Sequence, residues 1–280
     1  DFCLSRGLGD VYKRQGKDNI PFHTIIFPAL LIAADEGYVL PWQVSSTEFI
    51  LYEGRGKFSK SRRIGVWMDE ALKIAQPEYW RYLLISIRPE TKDANFTWKE
   101  FERRINTELN DILGNFIHRT LTFVKSNFNG RVPPAEGLSD LDKNLIEKIS
   151  NAPSTVGRLM ELLKLRDALA TVIELARVGN EYLSESEPWH MIKTKKQEAA
   201  NVISICCQLN RSLAVLLYPF MPQTANAMWK QLGAEGKVDE QSWEDAGRMA
   251  LNPDHQIGEP QPLFQKVNGE KIAETWMKAA

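Results

Sequence analysis

Apolar residues recur every three to five positions at Trp98, Phe101, Ile105, Leu109, Ile112, Phe116, Leu121 and Val124, which predicts one long amphipathic helix over about 97–128. Thr97 with Glu100 three residues on has the capping-box pattern that fixes its start. A linker rich in Gly130, Pro133, Pro134 and Gly137 follows, then a helix over about 138–150. The same period returns at Val156, Leu159, Leu163, Leu169, Ile173 and Ala176, and again at Val202, Ile203, Cys206, Leu209, Leu213 and Leu217. Those runs predict helices over about 154–183 and 195–217. Pro219 and Pro222 interrupt the pattern, and a last helix runs through Met228 and Trp229 to Gly233 as its C-terminal cap. Upstream the rhythm changes. Gly16 and a polar loop lead into an apolar helix around Ile25–Ala34, and Val39, Trp42, Val44, Phe49 and Ile50 between prolines and glycines predict strand pieces. Short helices start near Trp67 and at Pro77. Residues 1–15 show neither period and receive no assignment, as a truncation edge or non-native sequence. The pattern as a whole is mainly α.

Composition narrows the class. A length of 280 residues suits roughly two domains, and 43% hydrophobic with 25% charged residues is the ordinary globular mixture, which argues against disorder. The apolar run at 25–34 is too short to span a bilayer, so no membrane partner is expected. A net charge of −1 gives no overall pull toward nucleic acid, so any such contact must come from a local patch. Cys3, Cys206 and Cys207 include no C-x-x-C; the adjacent pair sits in an apolar helical run, where buried small hydrophobes are expected and no metal site or bridge. A reducing, cytoplasmic setting fits, with no targeting pattern at the start.

Candidate chemistry centres on Lys57-Phe58-Ser59-Lys60-Ser61, between Glu53-Gly54-Arg55-Gly56 and Arg62-Arg63. Two ammoniums three residues apart, interleaved with two hydroxyls, can grip polyphosphate while charge builds in a transition state. A compact ammonium on a flexible stem can follow a phosphate as it moves. Taken alone, the segment reads as a solvated basic loop. Gly16 and Asp18 offer close backbone approach and a carboxylate for ribose hydroxyls. His23 alone reads as a buried, hydrogen-bonded histidine. On the first long helix Asn115 and Arg119 fall one turn apart, on a polar flank shared with Glu108 and Thr122. An amide and a guanidinium so placed can address an unstacked base, although the same pair is commonly just solvated. Trp189, in the turn Glu187-Pro188-Trp189-His190, is either a plug over the bundle end or a stacking platform for a base.

The lysine segment closely resembles the signature loop of class I aminoacyl-tRNA synthetases, with Phe58 where methionine is usual. Gly16 to His23 resembles a stretch of the methionyl-tRNA synthetases, and so do Asn115 with Arg119 and Pro188 with Trp189. Tyr218 to Ala225 resembles the wider class. The resemblance covers 16 to about 267. It implies the end of a Rossmann-type α/β nucleotide-binding domain (16–95, signature loop 57–61), an α-helical anticodon-binding bundle (96–250) and a C-terminal tail (251–280). It implies ATP-binding roles for Gly16, Asp18, Lys57, Ser59, Lys60 and Ser61, the two lysines being the catalytic groups. Phe22, His23 and Phe27 would line a methionine pocket, the family often having tryptophan in the last place. Asn115, Arg119 and Trp189 would read the anticodon. The activity implied is a methionine–tRNA ligase acting on methionine, MgATP and tRNA(Met). This chain has no His-x-Gly-His signature and no cysteine knuckle for zinc, so alone it is expected to be inactive. The alternatives are another class I synthetase, against which Pro21-Phe22-His23 argues, and a non-catalytic helical RNA-binding module.

Overall fold

The structure is a computed structural model that describes residues 13–279 apart from Lys60 and Arg63. Its described residues form two compact units, 13–65 with Ile87–Thr97 and Val66–Ser86 with the chain from Trp98 onward. The division differs from the 95/96 line drawn from sequence, because the two short helices before residue 87 group with the helical unit.

The first unit opens with strand β1 (Lys13–Gly16), a 3₁₀ turn (Lys17–Asn19), a π turn (Phe22–Ile26) and helix α1 (Phe27–Ala34). Strand β2 (Val44–Thr47) then pairs in parallel with β1, Lys13 opposite Val44 through Gly16 opposite Thr47. Parallel neighbours need a crossover, and α1 supplies it as the middle of a β–α–β unit. Lys13 to Gln15, which show no strand pattern in sequence, are a strand because the partner strand supplies the hydrogen bonds. Strand β3 (Ile50–Tyr52) pairs in parallel with β4 (Ala94–Phe96), and the buried rings of Tyr52 and Phe96 stack with centroids 5.7 Å apart. No residue of the π turn or of α1 is buried; Ile25, Leu30 and Ile32 are all more than 60% exposed.

The second unit begins with α2 (Met68–Ile74) and α3 (Pro77–Ser86). The first long helix is α4 (Trp98–Arg103), a π segment (Arg104–Gly114) and α5 (Asn115–Asn127), with Phe101, Ile105, Leu109, Phe116, Leu121 and Val124 buried. The π segment is held by groups distant in sequence. Asn180 donates to the Ile112 carbonyl at 2.8 Å, the Asn106 amide exchanges two 2.8 Å bonds with the Val267 backbone, and Phe264 packs on Gly114. Side chains that satisfy freed carbonyls are what let a helix widen to i→i+5 bonding.

Helix α6 (Asp140–Glu161) starts at a capping box in which Ser139 and Asp142 each accept the other's backbone N–H, at 3.2 and 2.8 Å. The break expected between residues 150 and 154 does not occur. Pro153 is inside α6 and buried, because the apolar face Leu145, Ile149, Ala152 and Val156 continues across it. The break lies at Leu163, which adopts φ 61°. Its N–H reaches Met160 O and that of Lys164 reaches Leu159 O, the Schellman pattern with leucine in the place usually held by glycine. Helices α7 (Leu165–Ser186), the single turn α8 (Pro188–Met191), α9 (Lys196–Leu217) and α10 (Pro222–Leu232) complete the bundle. Gly233 caps α10 at φ 69°.

Helix α9 is the centre of this unit: every residue from Ala199 to Leu217 is buried. Among the described residues it alone is long and apolar enough to cross a membrane, and its apolar window is wholly covered by the bundle. Its buried polar side chains pin the connecting segments: Asn201 bonds Glu136 N and O, Gln208 bonds Leu251 N and O, and Arg211 donates to Asp245 O. Beyond residue 250 the chain is not a loose tail. It crosses the bundle as an extended strap, Tyr79 bonding Gln265 and Glu102 accepting from Gly269 N, and ends in a helix the sequence did not predict, α11 (Gly269–Ala279), packed on α4.

Candidate functional site

The lysine segment folds as a hairpin. After β3 the chain turns through Glu53, Gly54 and Gly56, all with positive φ (49°, 71° and 90°), and Tyr52 N donates to Gly56 O at 2.9 Å. Glycine meets these angles without strain, which explains the punctuation before the loop. Lys57 then pairs with Leu51, and Ser59 with Ile64 through two backbone bonds of 2.8 and 2.9 Å. Ser59 Oγ lies 3.3 Å from Ser61 Oγ and accepts from Arg62 N, so the two hydroxyls share one tip. Lys60, expected to share the phosphate contact with Lys57, lies outside the described residues.

Phe58 is seated on its own unit: its ring meets Tyr52 edge-on at 5.4 Å and covers Gly65, where a Cβ would come within 2.7 Å of it. Lys57 is exposed, with its ammonium 3.5 Å from the centroid of the Phe49 ring. Lys17 Nζ stands 4.6 Å from the same centroid, bonds Glu48 and lies 3.9 Å from Asp93. The Glu48 carboxylate holds the Lys17 pKa above its ordinary value. The sequence marks Phe49 only as part of a strand piece and gives Lys17 no part in the site. A Phe four residues before a turn carries no local signal, and only the fold brings it under two lysines.

Gly16 ends β1 and Asp18 is exposed in the turn after it. Phe22 is 56% exposed, while His23 and Phe27 are half-buried. The N–H of Phe27 donates to the carbonyl of Phe22, so the π turn sets these two phenylalanines one turn apart.

In the helical unit, the Arg119 guanidinium lies 5.3 Å from the Trp189 ring centroid. The two residues come from α5 and α8, seventy positions apart. They border a cleft of about 290 Å³ whose lining includes His118, Thr122, Phe123 and Leu183. Trp189 follows Pro188 at the first position of α8, after Glu187 in the left-handed region at φ 45°, and stays 38% exposed. Thr122 and Asn115 are exposed on α5, Asn115 one turn before Arg119. Glu108 does not share this flank: it accepts from Tyr82 Oη and pairs with Arg103 and Arg104 at 3.1 and 3.2 Å. The π segment, which contains Glu108 and ends just before Asn115, changes the residues per turn and carries Glu108 away from that flank. Cys206 and Cys207 are free and buried; burial raises both thiol pKa values, that of Cys207 to about 12, which keeps them inert.

Residues 8–121 match the family model described as tRNA synthetases class I (M), which fits a β–α–β piece carrying a lysine hairpin. Residues 132–279 match the anticodon binding domain of methionyl tRNA ligase. The chain belongs to the methionyl-tRNA synthetase family. It is 48% identical over 254 residues to the methionine–tRNA ligase of Sulfolobus acidocaldarius, covering 90% of this chain and 44% of that protein. It is 44% identical over 252 residues to that of Aeropyrum pernix, with the same shares. Among solved structures, methionyl-tRNA synthetase of Mycobacterium tuberculosis in complex with methionyl-adenylate superposes with a TM-score of 0.81 at 27% identity, over 90% of this chain and 49% of that one. The free state of the same enzyme gives 0.81 at 25% identity, over 92% and 50%. The chain thus spans about half the length of the relatives it matches.

Proposed function

We propose that this chain supplies the phosphate-gripping loop and the anticodon-reading bundle of a methionine–tRNA ligase, working in the cytoplasm. The methionine carboxylate attacks the α-phosphorus of MgATP, pyrophosphate leaves, and a hydroxyl of the terminal adenosine of tRNA(Met) then takes the methionyl group as AMP departs. Lys57 and Lys60, with Ser59 and Ser61, would meet the phosphates as charge shifts onto pyrophosphate; Gly16 and Asp18 would meet the adenosine side. Phe22, His23 and Phe27 would line the methionine pocket. Mg²⁺ would accompany the ATP phosphates, where it commonly resides.

The observation that carries the reading is the meeting of Arg119 and Trp189 in one cleft, with Asn115 a turn away. A half-exposed indole under a guanidinium offers a face for stacking and donors for a base edge, the chemistry that reads single-stranded loops. The 280-residue chain titrated with an anticodon stem-loop carrying CAU should bind it more tightly than a scrambled loop at the same salt. Trp189→Ala should weaken CAU binding by about five- to a hundredfold, the scale of one stacked base. Equal affinity for both loops, unchanged by the substitution, would reduce the contact to phosphate attraction, which carries no sequence information.

A further inference from the structure

Phe49 lies under the ammoniums of Lys57 and Lys17, at 3.5 and 4.6 Å from its ring centroid. The two lysines differ in what else they touch. Lys17 has Glu48 and Asp93 as carboxylate partners, whereas among the described residues no carboxylate lies within 4.0 Å of the Lys57 ammonium. The Phe49 backbone is clamped on both sides, its N–H donating to Asp93 Oδ1 at 2.9 Å and its carbonyl accepting from Ala94 N at 3.0 Å. The ring therefore stands on a fixed stem, next to the turn that holds Lys17 and Asp18.

We propose that Phe49 is a positioning residue for the lysine loop, its ring holding the Lys57 ammonium beside the Gly16–Asp18 turn without neutralising it. The proposal rests on the reading of Lys57 as a phosphate-binding group. A carboxylate in the place of Phe49 would hold Lys57 more firmly, but it would cancel the charge that polyphosphate needs. An aromatic face attracts a cation through its quadrupole and leaves its full charge available, so the ammonium can pass to a phosphate as negative charge builds there. Lys17, compensated by Glu48, does not compete for the same anion on equal terms. The ring thereby links the two segments of the candidate ATP site through their lysines.

Methionine-dependent pyrophosphate exchange in a full-length ligase carrying this sequence tests the assignment. Phe49→Leu keeps apolar bulk and removes the π face; it should lower kcat/KM for ATP by about two- to thirtyfold and leave the KM for methionine unchanged. Phe49→Tyr should restore activity. In a Lys57→Ala background, Phe49→Leu should add nothing, because the ring then has no loop lysine to hold. An equal loss in both backgrounds would make Phe49 a packing residue and overturn the proposal. So would a silent Phe49→Leu beside a slow Lys57→Ala enzyme. Should Lys57→Ala itself exchange at the parent rate, the phosphate role of Lys57 falls, and this proposal with it.

Discussion

His23 shows how two uses of one side chain can be separated. It is half-buried in a π turn whose neighbours Phe22 and Ile26 are exposed, so it is not the enclosed core histidine that an isolated reading of the residue suggests. If His23 faces the amino acid, His23→Ala in a full-length ligase should raise the KM for methionine several-fold more than that for ATP. Equal changes in both, with a lowered melting temperature, would return it to a packing role. Much at this scale was readable in advance. Ser59 and Ser61, two apart in sequence, share one tip, and Arg119 and Trp189, singled out separately, meet in one cleft. What stayed hidden is contact made through the fold: Phe58 against Tyr52 and Gly65, Phe49 beneath Lys57, and Glu108 drawn off by Tyr82 and two arginines.

At the scale of elements, apolar periodicity located the helices and failed at their ends and irregularities. In sequence Leu163 looks like one more core position of a continuing helix, because leucine in the left-handed region runs against a cost of roughly 1–2 kcal/mol that glycine would avoid. Its burial is the compensation that the local sequence does not disclose. The π segment was invisible for a similar reason, since Asn180, Val267 and Phe264 lie far along the chain from the helix they hold. Gly179 gives a test of such crossings. It sits inside α7 where a Cβ would lie 2.6 Å from the Phe116 ring and 2.7 Å from Leu209, both fully buried. Alanine would gain about 1 kcal/mol in helix propensity, but forcing a methyl into a filled core costs about 1–3 kcal/mol, so packing should win. Gly179→Ala is therefore expected to lower the urea midpoint of the helical unit without changing the m-value. A raised midpoint would mean that α5 and α9 yield more easily than their burial implies.

Over the whole molecule the two units differ in how much of their apolar surface they cover. In the helical unit nineteen consecutive residues of α9, Ala199 to Leu217, are buried, and the polar ones among them tie down the Glu136 and Leu251 segments. In the first unit, the π turn and α1 together bury nothing, although they carry Phe22, Ile25, Ile26, Leu30 and Ile32. A helix this short draws most of its stability from packing, because the first turn fixes several dihedrals for a single bond. Local opening should therefore be easy in α1 and rare in α9. Hydrogen exchange on the 280-residue chain at low concentration should show α9 amides exchanging only through global unfolding of the bundle, with those of Phe27–Ala34 among the fastest of any helix. The relatives carry about half their length outside the matched part, and extending the chain to that length should slow exchange in α1 while leaving α9 unchanged. If α1 is already as protected as α9 in the dilute chain, its exposed apolar face is covered by something within these 280 residues, and its dependence on further sequence is refuted.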